Sequence, residues 1–211
     1  MSTTFNKNIL PEFDSIKDSG EDIIWSGKPI FIPYALEGIG KRLIPIAFGV
    51  IWILVSMNSA PEGTNGRFEY FSLIGLIPIA QGLYPLLNKL FSYPNTIYAY
   101  SNKRVMIRTG FMGTDFKIID YDKISDIEIT VNMIERMYDV GTIRFFSGRT
   151  KTYEGTTTKI YDKWLGIKNP YEIFKLVKQT SLDIKTDIHY PNALRPETNT
   201  GYRTKYEREQ Q

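Results

Sequence analysis

Two uncharged apolar runs, separated by a short polar connection, limit what this chain can fold into more than any other feature. The first, Leu43 to Met57, reads LIPIAFGVIWILVSM; the second, Phe71 to Leu87, reads FSLIGLIPIAQGLYPLL. At about 1.5 Å of rise per helical residue the first run covers about two-thirds to three-quarters of a ~30 Å hydrocarbon core. Lys41 and Arg42 precede it, and their long stems can lie in the apolar zone with the charges among headgroups, which lengthens the usable span. The second run is long enough, but Pro78, Gln81 and Pro85 interrupt it. Each proline frees a backbone carbonyl that a neighbouring helix or water must satisfy. The connection, Asn58 to Tyr70, is rich in turn formers such as Asn65-Gly66. A helical hairpin over residues 41–91 is therefore expected.

Such a hairpin has three settings: spanning a bilayer, entering and leaving one leaflet, or forming the core helices of a soluble protein. Two adjacent uncharged runs are unusual in a small soluble domain, so a membrane setting is adopted. Lys41, Arg42 and Lys89 flank the hairpin on one side, whereas the connection offers only Arg67 beside Glu62 and Glu69. The positive-inside rule then places both chain ends in the cytoplasm and makes this a multi-pass protein of the plasma membrane. Lys41, Arg42 and Lys89 are its expected membrane-interface residues. A long polar stretch precedes the first run, which argues against a signal peptide.

The sequence contains no cysteine, which rules out disulfides, thiolate metal sites and cysteine nucleophiles. The net charge of +3 is small but unevenly spread. Residues 1–40, expected to be a separate cytoplasmic segment, are acidic. Residues 92–180 carry 14 Lys/Arg against 10 Asp/Glu. That mild excess suits proximity to anionic lipid and falls short of a nucleic-acid-binding composition, so no nucleic-acid partner is expected.

From Tyr93 onward short β-branched and aromatic runs alternate with turns. Thr96 to Tyr100 and Arg104 to Thr109 flank Ser101-Asn102-Lys103, a hairpin signal. In the second of these, Arg104, Met106 and Arg108 share one face and Val105 and Ile107 the other. Phe116 to Tyr121, Ser125 to Val131 and Val140 to Phe146 read as further strands, with a short irregular or helical turn over Met133 to Asp139. Lys151 to Trp164 holds one or two more. Asn169-Pro170-Tyr171-Glu172 supplies a capping Asn, a proline at the first helical position and a glutamate at the third. The helix it opens carries Ile173, Phe174, Leu176 and Val177 as an apolar stripe. About six or seven antiparallel strands over 92–180, closed by that helix, are expected to fold alone as a fragment from Tyr93. Residues 181–211 read as a tail, disordered or docked through its tyrosines.

This order of parts resembles the bacterial pleckstrin-homology-like family of membrane proteins. The residues that carry the resemblance are Gly20-Glu21-Asp22-Ile23-Ile24-Trp25-Ser26-Gly27-Lys28-Pro29, Tyr100 to Gly110, Ile119 to Ile127, Val140-Gly141-Thr142-Ile143 and Ile167 to Glu172. The resemblance implies an α+β membrane protein: a two-helix transmembrane hairpin plus a strongly bent antiparallel sheet of about seven strands, capped by a C-terminal helix. It supplies little on activity.

No catalytic constellation emerges, and no cofactor is expected. The single histidine, His189, falls in the tail, which disfavours a metal site or a histidine-based triad. Asp120, Asp122 and Asp126 lack the glycine and closing glutamate of a calcium loop and read as a solvated hairpin end. Lys103, Arg104, Arg108 and Lys117 are the candidate anion-binding group, because phosphate recognition needs convergent donors and arginine supplies them in a fork. The alternatives for them are a solvated basic face beside the membrane, or an arginine stem packed over Met106 and paired with a nearby acid. Met133 to Tyr138 offers Met and Tyr side chains to a partner groove or to the core. A membrane-anchored binding or scaffold module, not an enzyme, is expected, with membrane lipid and a protein partner or second copy as its partners. The alternative is an accessory subunit of a transporter or membrane-enzyme complex.

Overall fold

A computed structural model describes residues 11–59 and 67–189. The chain opens with a 3₁₀ turn, Pro11–Ile16, followed by strand β1, Ile23–Gly27. A short helix α1 (Phe31–Leu36) leads into α2 (Ile39–Asn58), and α3 (Arg67–Leu73) and α4 (Leu76–Ser92) return the chain. Strands β2 (Ile97–Ser101), β3 (Arg104–Thr109), β4 (Asp115–Asp120) and β5 (Asp126–Thr130) follow. After helix α5 (Met133–Met137) come β6 (Val140–Tyr153), β7 (Thr156–Lys168) and helix α6 (Pro170–His189). The strands form a four-stranded sheet ordered β1-β2-β3-β4 and a three-stranded sheet ordered β5-β6-β7, all pairs antiparallel. The α+β class, the seven strands and the capping helix agree with the sequence-based expectation.

The two sheets and α6 close on one apolar core. Tyr98, Tyr100, Val105, Ile107 and Ile119 from the first sheet meet Ile143, Phe145, Trp164 and Ile167 from the second, and Ile173 and Val177 of α6 cap them. Trp164 is fully buried at the centre, with the rings of Tyr98, Phe145 and Trp25 around it at 5.9, 4.9 and 5.4 Å. α6 starts where its signals put it, but it runs on to His189, so residues 181–189 extend the cap. Residues 190–211, with the tail's tyrosines, lie outside the described residues.

β1 lies before the apolar hairpin and yet pairs with β2, Ser26 opposite Ala99 and Gly27 opposite Tyr98. The sheet is thus built from both sides of the hairpin, and residues 11–27 are part of the domain. The Pro11–Ile16 turn covers the outer face of the same sheet: Phe13 is fully buried with Ile23, Ile97, Ala99 and Met106, and sets its ring edge-on to Phe116 at 6.0 Å. The four-stranded sheet therefore buries residues on both faces, which is why every residue of β2 is buried.

α2 and the helical stretch Tyr70–Asn95, which contains α4, are long and apolar enough to cross a membrane by length and composition. α2 has 20 residues, about 30 Å, because Ile39 to Arg42 join the helix and extend it past the uncharged run. The second run is broken near Gly75. A Cβ on Gly49 would stand 2.4 Å from the Gly75 carbonyl oxygen, and one on Gly75 would stand 2.7 Å from that of Gly49. The backbones touch at this crossing, as small residues allow when helices pack in lipid. The Trp52 indole donates to the Phe71 carbonyl at 3.2 Å, satisfying a backbone group beside the break. Elsewhere Leu43, Ile44, Phe48 and Ile51 of α2 and Leu76, Ile77 and Tyr84 of α4 are exposed.

Candidate functional site

Antiparallel connectivity sorts the loops into two ends. The connection from β1 to β2 holds the apolar hairpin, so the β3–β4 turn lies at that same end of the sheet. The β2–β3 turn, Ser101-Asn102-Lys103, lies at the other. The second sheet meets the hairpin end through α1: the Ile30 amide donates to the Gly166 carbonyl at 2.9 Å, and α1 packs on β7 and α4.

At this hairpin end a polar cluster locks the helices to the sheets. The Lys89 ammonium donates to the Glu37 carboxylate at 2.6 Å, to the Tyr34 carbonyl at 3.1 Å and to the Glu37 carbonyl at 3.4 Å. Lys163 of β7 reaches the other Glu37 oxygen at 3.0 Å. The buried Tyr34 hydroxyl sits 3.0 Å from the Ser92 hydroxyl and 3.2 Å from that of Thr96. Burial alone would raise the Glu37 pKa, but the hydrogen bonds and charges of Lys89 and Lys163 outweigh it and hold the carboxyl at about 2. Of the three expected interface residues, Lys41 is exposed and Arg42 half-buried, with a guanidinium nitrogen 3.5 Å from the Ala35 carbonyl. The Lys89 ammonium is turned inward onto these three acceptors, so Lys89 is a joint between hairpin and domain.

Beside this cluster a cleft of about 650 Å³ opens between the last turns of α4 and the β3–β4 turn. Tyr84, Leu87, Asn88 and Phe91 line one wall; Thr109, Phe111 and Asp115 line the other.

The four basic residues expected to bind an anion do not converge. Arg104 forks onto the Glu21 carboxylate at 3.0 and 2.7 Å and donates to the Ile16 carbonyl at 2.9 Å. Glu21 also accepts from the Ser101 hydroxyl at 2.6 Å and the Asp18 amide at 2.9 Å. Burial pushes the Glu21 carboxyl up, yet these hydrogen bonds hold it below the usual range, and the same bonds raise Arg104. Arg108 pairs more loosely with Glu12 at 3.8 Å, and the Lys103 ammonium donates to the Ser19 carbonyl at 3.0 Å. Lys117 pairs across from Ile107, on the inner face, and contacts Asp162 of β7, which also takes a two-oxygen contact from Arg149 at 2.6 and 2.7 Å. The arginines thus hold down the acidic segment that covers the outer face, and Lys117 ties the two sheets together on the other side. Parity explains the split: Lys117 and the two arginines project from opposite faces. Glu21 is the partner that the sequence reading missed, although it stands in the Gly20–Pro29 block that carries the family resemblance.

Asp120 precedes, Asp122 lies within and Asp126 follows a 3₁₀ turn, Tyr121–Lys123, and among the described residues no acidic or histidine cluster gathers into a metal-binding group. His189 is the last residue of α6. Met133 and Met137, one helical turn apart on α5, are exposed, while Glu135 turns inward to complete a capping box with Asn132.

A family model described as the bacterial PH domain matches residues 41–178. No curated protein matches the chain. The match begins inside α2 and leaves out β1, whose pairing with β2 completes the first sheet. With the match spanning well over half of its 211 residues, two antiparallel sheets and a capping C-terminal helix, the chain belongs to the bacterial PH domain family.

Proposed function

We propose that the protein is a membrane-anchored binding or scaffold module, its hairpin crossing the bilayer and its PH-like domain held at the cytoplasmic face. PH-like membership supports a binding or scaffold role. The observation that carries the anchored reading is the outward apolar surface of α2 and α4, joined to the sheet through both β1 and β2. Side chains such as Ile44 and Ile77 would cost free energy in water, about 1.5–3 kcal/mol for each large apolar group left uncovered, and gain it in lipid. Lys41, Arg42 and Lys89 at one end of the hairpin support cytoplasmic termini. A binding role in place of catalysis is supported by the absence of cysteine and the single histidine at the end of α6. The test uses single cysteines in a chain that has none. Ser59→Cys, at the far end of α2, reacts from outside intact cells with an impermeant thiol reagent, and Ser147→Cys on β6 reacts only after permeabilisation. If neither reacts from outside, the spanning hairpin is wrong and a hairpin confined to one leaflet replaces it.

A second reading, an accessory subunit of a transporter or membrane-enzyme complex, is favoured by one residue. Gln81 is exposed on α4, and an amide at membrane depth is stabilised by a partner helix. Mild-detergent extraction followed by mass spectrometry separates the readings: a stoichiometric second protein supports the subunit, and recovery of this chain alone supports the self-contained module.

A further inference from the structure

We propose that the β3–β4 turn is a second membrane contact, inserting Phe111 and Met112 among the lipids beside α4 at the headgroup boundary. The inference rests on the anchored reading above and adds a lipid-binding surface on the PH-like domain itself. Thr109 to Thr114 reads Thr-Gly-Phe-Met-Gly-Thr, with no charge between Arg108 and Asp115. Met112 is 91% exposed and Phe111 48% exposed. The turn is tight: a Cβ on Gly110 would stand 2.1 Å from the Gly113 carbonyl oxygen, and Gly110 has a φ of +153°. The glycine at 110 therefore lets a short turn present two large apolar side chains at its tip.

Its position is what makes the bilayer the occupant. Topology places the turn at the hairpin end of the sheet, and the Phe111 ring meets the Phe91 ring of α4 edge-on at 5.0 Å. Phe91 lies two residues past Lys89, about 3 Å of helical rise, so the turn stands at the depth where the hairpin leaves the hydrocarbon. Phe91 and Leu90 are themselves exposed, which makes the apolar surface continuous from α4 onto the turn. The cleft between them, walled by Tyr84, Leu87 and Phe91 on one side and Phe111 on the other, has room for part of an acyl chain. Asn88 on the helix wall and Asp115 on the wall facing it offer an amide and a carboxylate at headgroup level. Such a contact holds the domain against the surface at a second point and fixes its tilt.

The test is depth measurement on the full chain in phosphatidylcholine–phosphatidylglycerol vesicles, using single cysteines labelled with an environment-sensitive fluorophore. Three positions are compared: Met112→Cys on the turn, Val50→Cys on the exposed face of α2, and Tyr153→Cys at the tip of the β6–β7 hairpin. The expected result is blue-shifted emission at 112 and 50, with quenching by nitroxide attached to the lipid, shallow at 112 and deep at 50. Position 153 is expected to respond to aqueous iodide alone. If 50 is quenched from the lipid and 112 only by iodide, the second contact is overturned while the anchored reading stands. If 50 also responds only to iodide, the anchored reading fails and takes this proposal with it.

Discussion

Arg104→Ala tests whether the basic face is a structural clamp. In an exposed basic patch this change would stay within about 0.5 kcal/mol. Here it strands the Glu21 carboxylate, whose side chain is fully buried beneath an arginine that is itself only 12% exposed. Removing one partner of a buried ion pair costs about 3–5 kcal/mol. Glu21 keeps its bonds from the Ser101 hydroxyl and the Asp18 amide, which favours the lower end, about 3 kcal/mol. For a chain of this size that is a fall in Tm of about 6–12 °C. The assay is thermal unfolding of the full chain in detergent, followed by near-UV circular dichroism, to which the packed Trp25, Tyr100 and Trp164 rings contribute. Glu21→Gln with Arg104→Met, which leaves no buried charge, loses less than Arg104→Ala alone. The pH dependence carries a definite sign. The folded pKa of Glu21 is depressed, so the pair's contribution is full above the ordinary glutamate value and is lost as pH falls through the folded one. The gap between wild type and Arg104→Ala therefore narrows on acidification. A variant that melts within 2 °C of wild type at neutral pH, as expected for surface arginines, would refute the clamp.

The joint at Glu37 gives a second acid-sensitive step: its carboxyl sits at about 2 against an ordinary 4.5, worth about 3 kcal/mol at neutral pH and lost between those values. Glu37→Gln removes most of that, read as a lower melting temperature at pH 7 and a flatter pH profile below 5. Gly49→Ala drives a methyl into the Gly75 carbonyl and costs about 1–3 kcal/mol, detected as faster proteolysis of the 60–66 connection in detergent. A soluble fragment from Tyr93 to Gln211 is expected to melt without a cooperative transition, since it lacks β1, Phe13 and Glu21. Cooperative, β-rich unfolding of that fragment would show that the covering segment is dispensable.

How much of this was legible follows from what each element packs against. β3 announces itself by the Ser101-Asn102-Lys103 turn before it, β5 by the alternation of Ile127 and Ile129 with Glu128 and Thr130, and α6 because Asn169 and Pro170 write its cap into the sequence. β1 was missed because Ile23–Gly27 is short and its partner lies beyond the hairpin; nothing local records a pairing across that distance. The outer halves of β6 and β7 were read only vaguely for a different reason. Residues 150–159 are exposed on both faces, so burial imposes no alternation, and only the Glu154-Gly155 turn marks them. The split of the basic group is a matter of register. Composition shows four cations close in sequence, but which face each occupies depends on β3–β4 pairing, and that pairing sends Lys117 inward.

The placement of β1 ahead of the hairpin has a consequence for biosynthesis. When Gly27 leaves the ribosome, its partner strand is still about 70 residues from being made, roughly 4–14 s at ordinary elongation rates. During that interval the acidic segment and β1 wait unpaired while α2 and then α4 are made and, on the anchored reading proposed above, enter the bilayer. Only a hairpin that returns to the side it left can deliver Ile97–Ser101 to the waiting edge. If the hairpin spans as proposed, a chain whose second helix fails to cross strands β2 on the wrong side, and the sheet cannot close. On that reading, pairing of β1 with β2 makes closure of the sheet depend on the hairpin having brought both of its ends to one side.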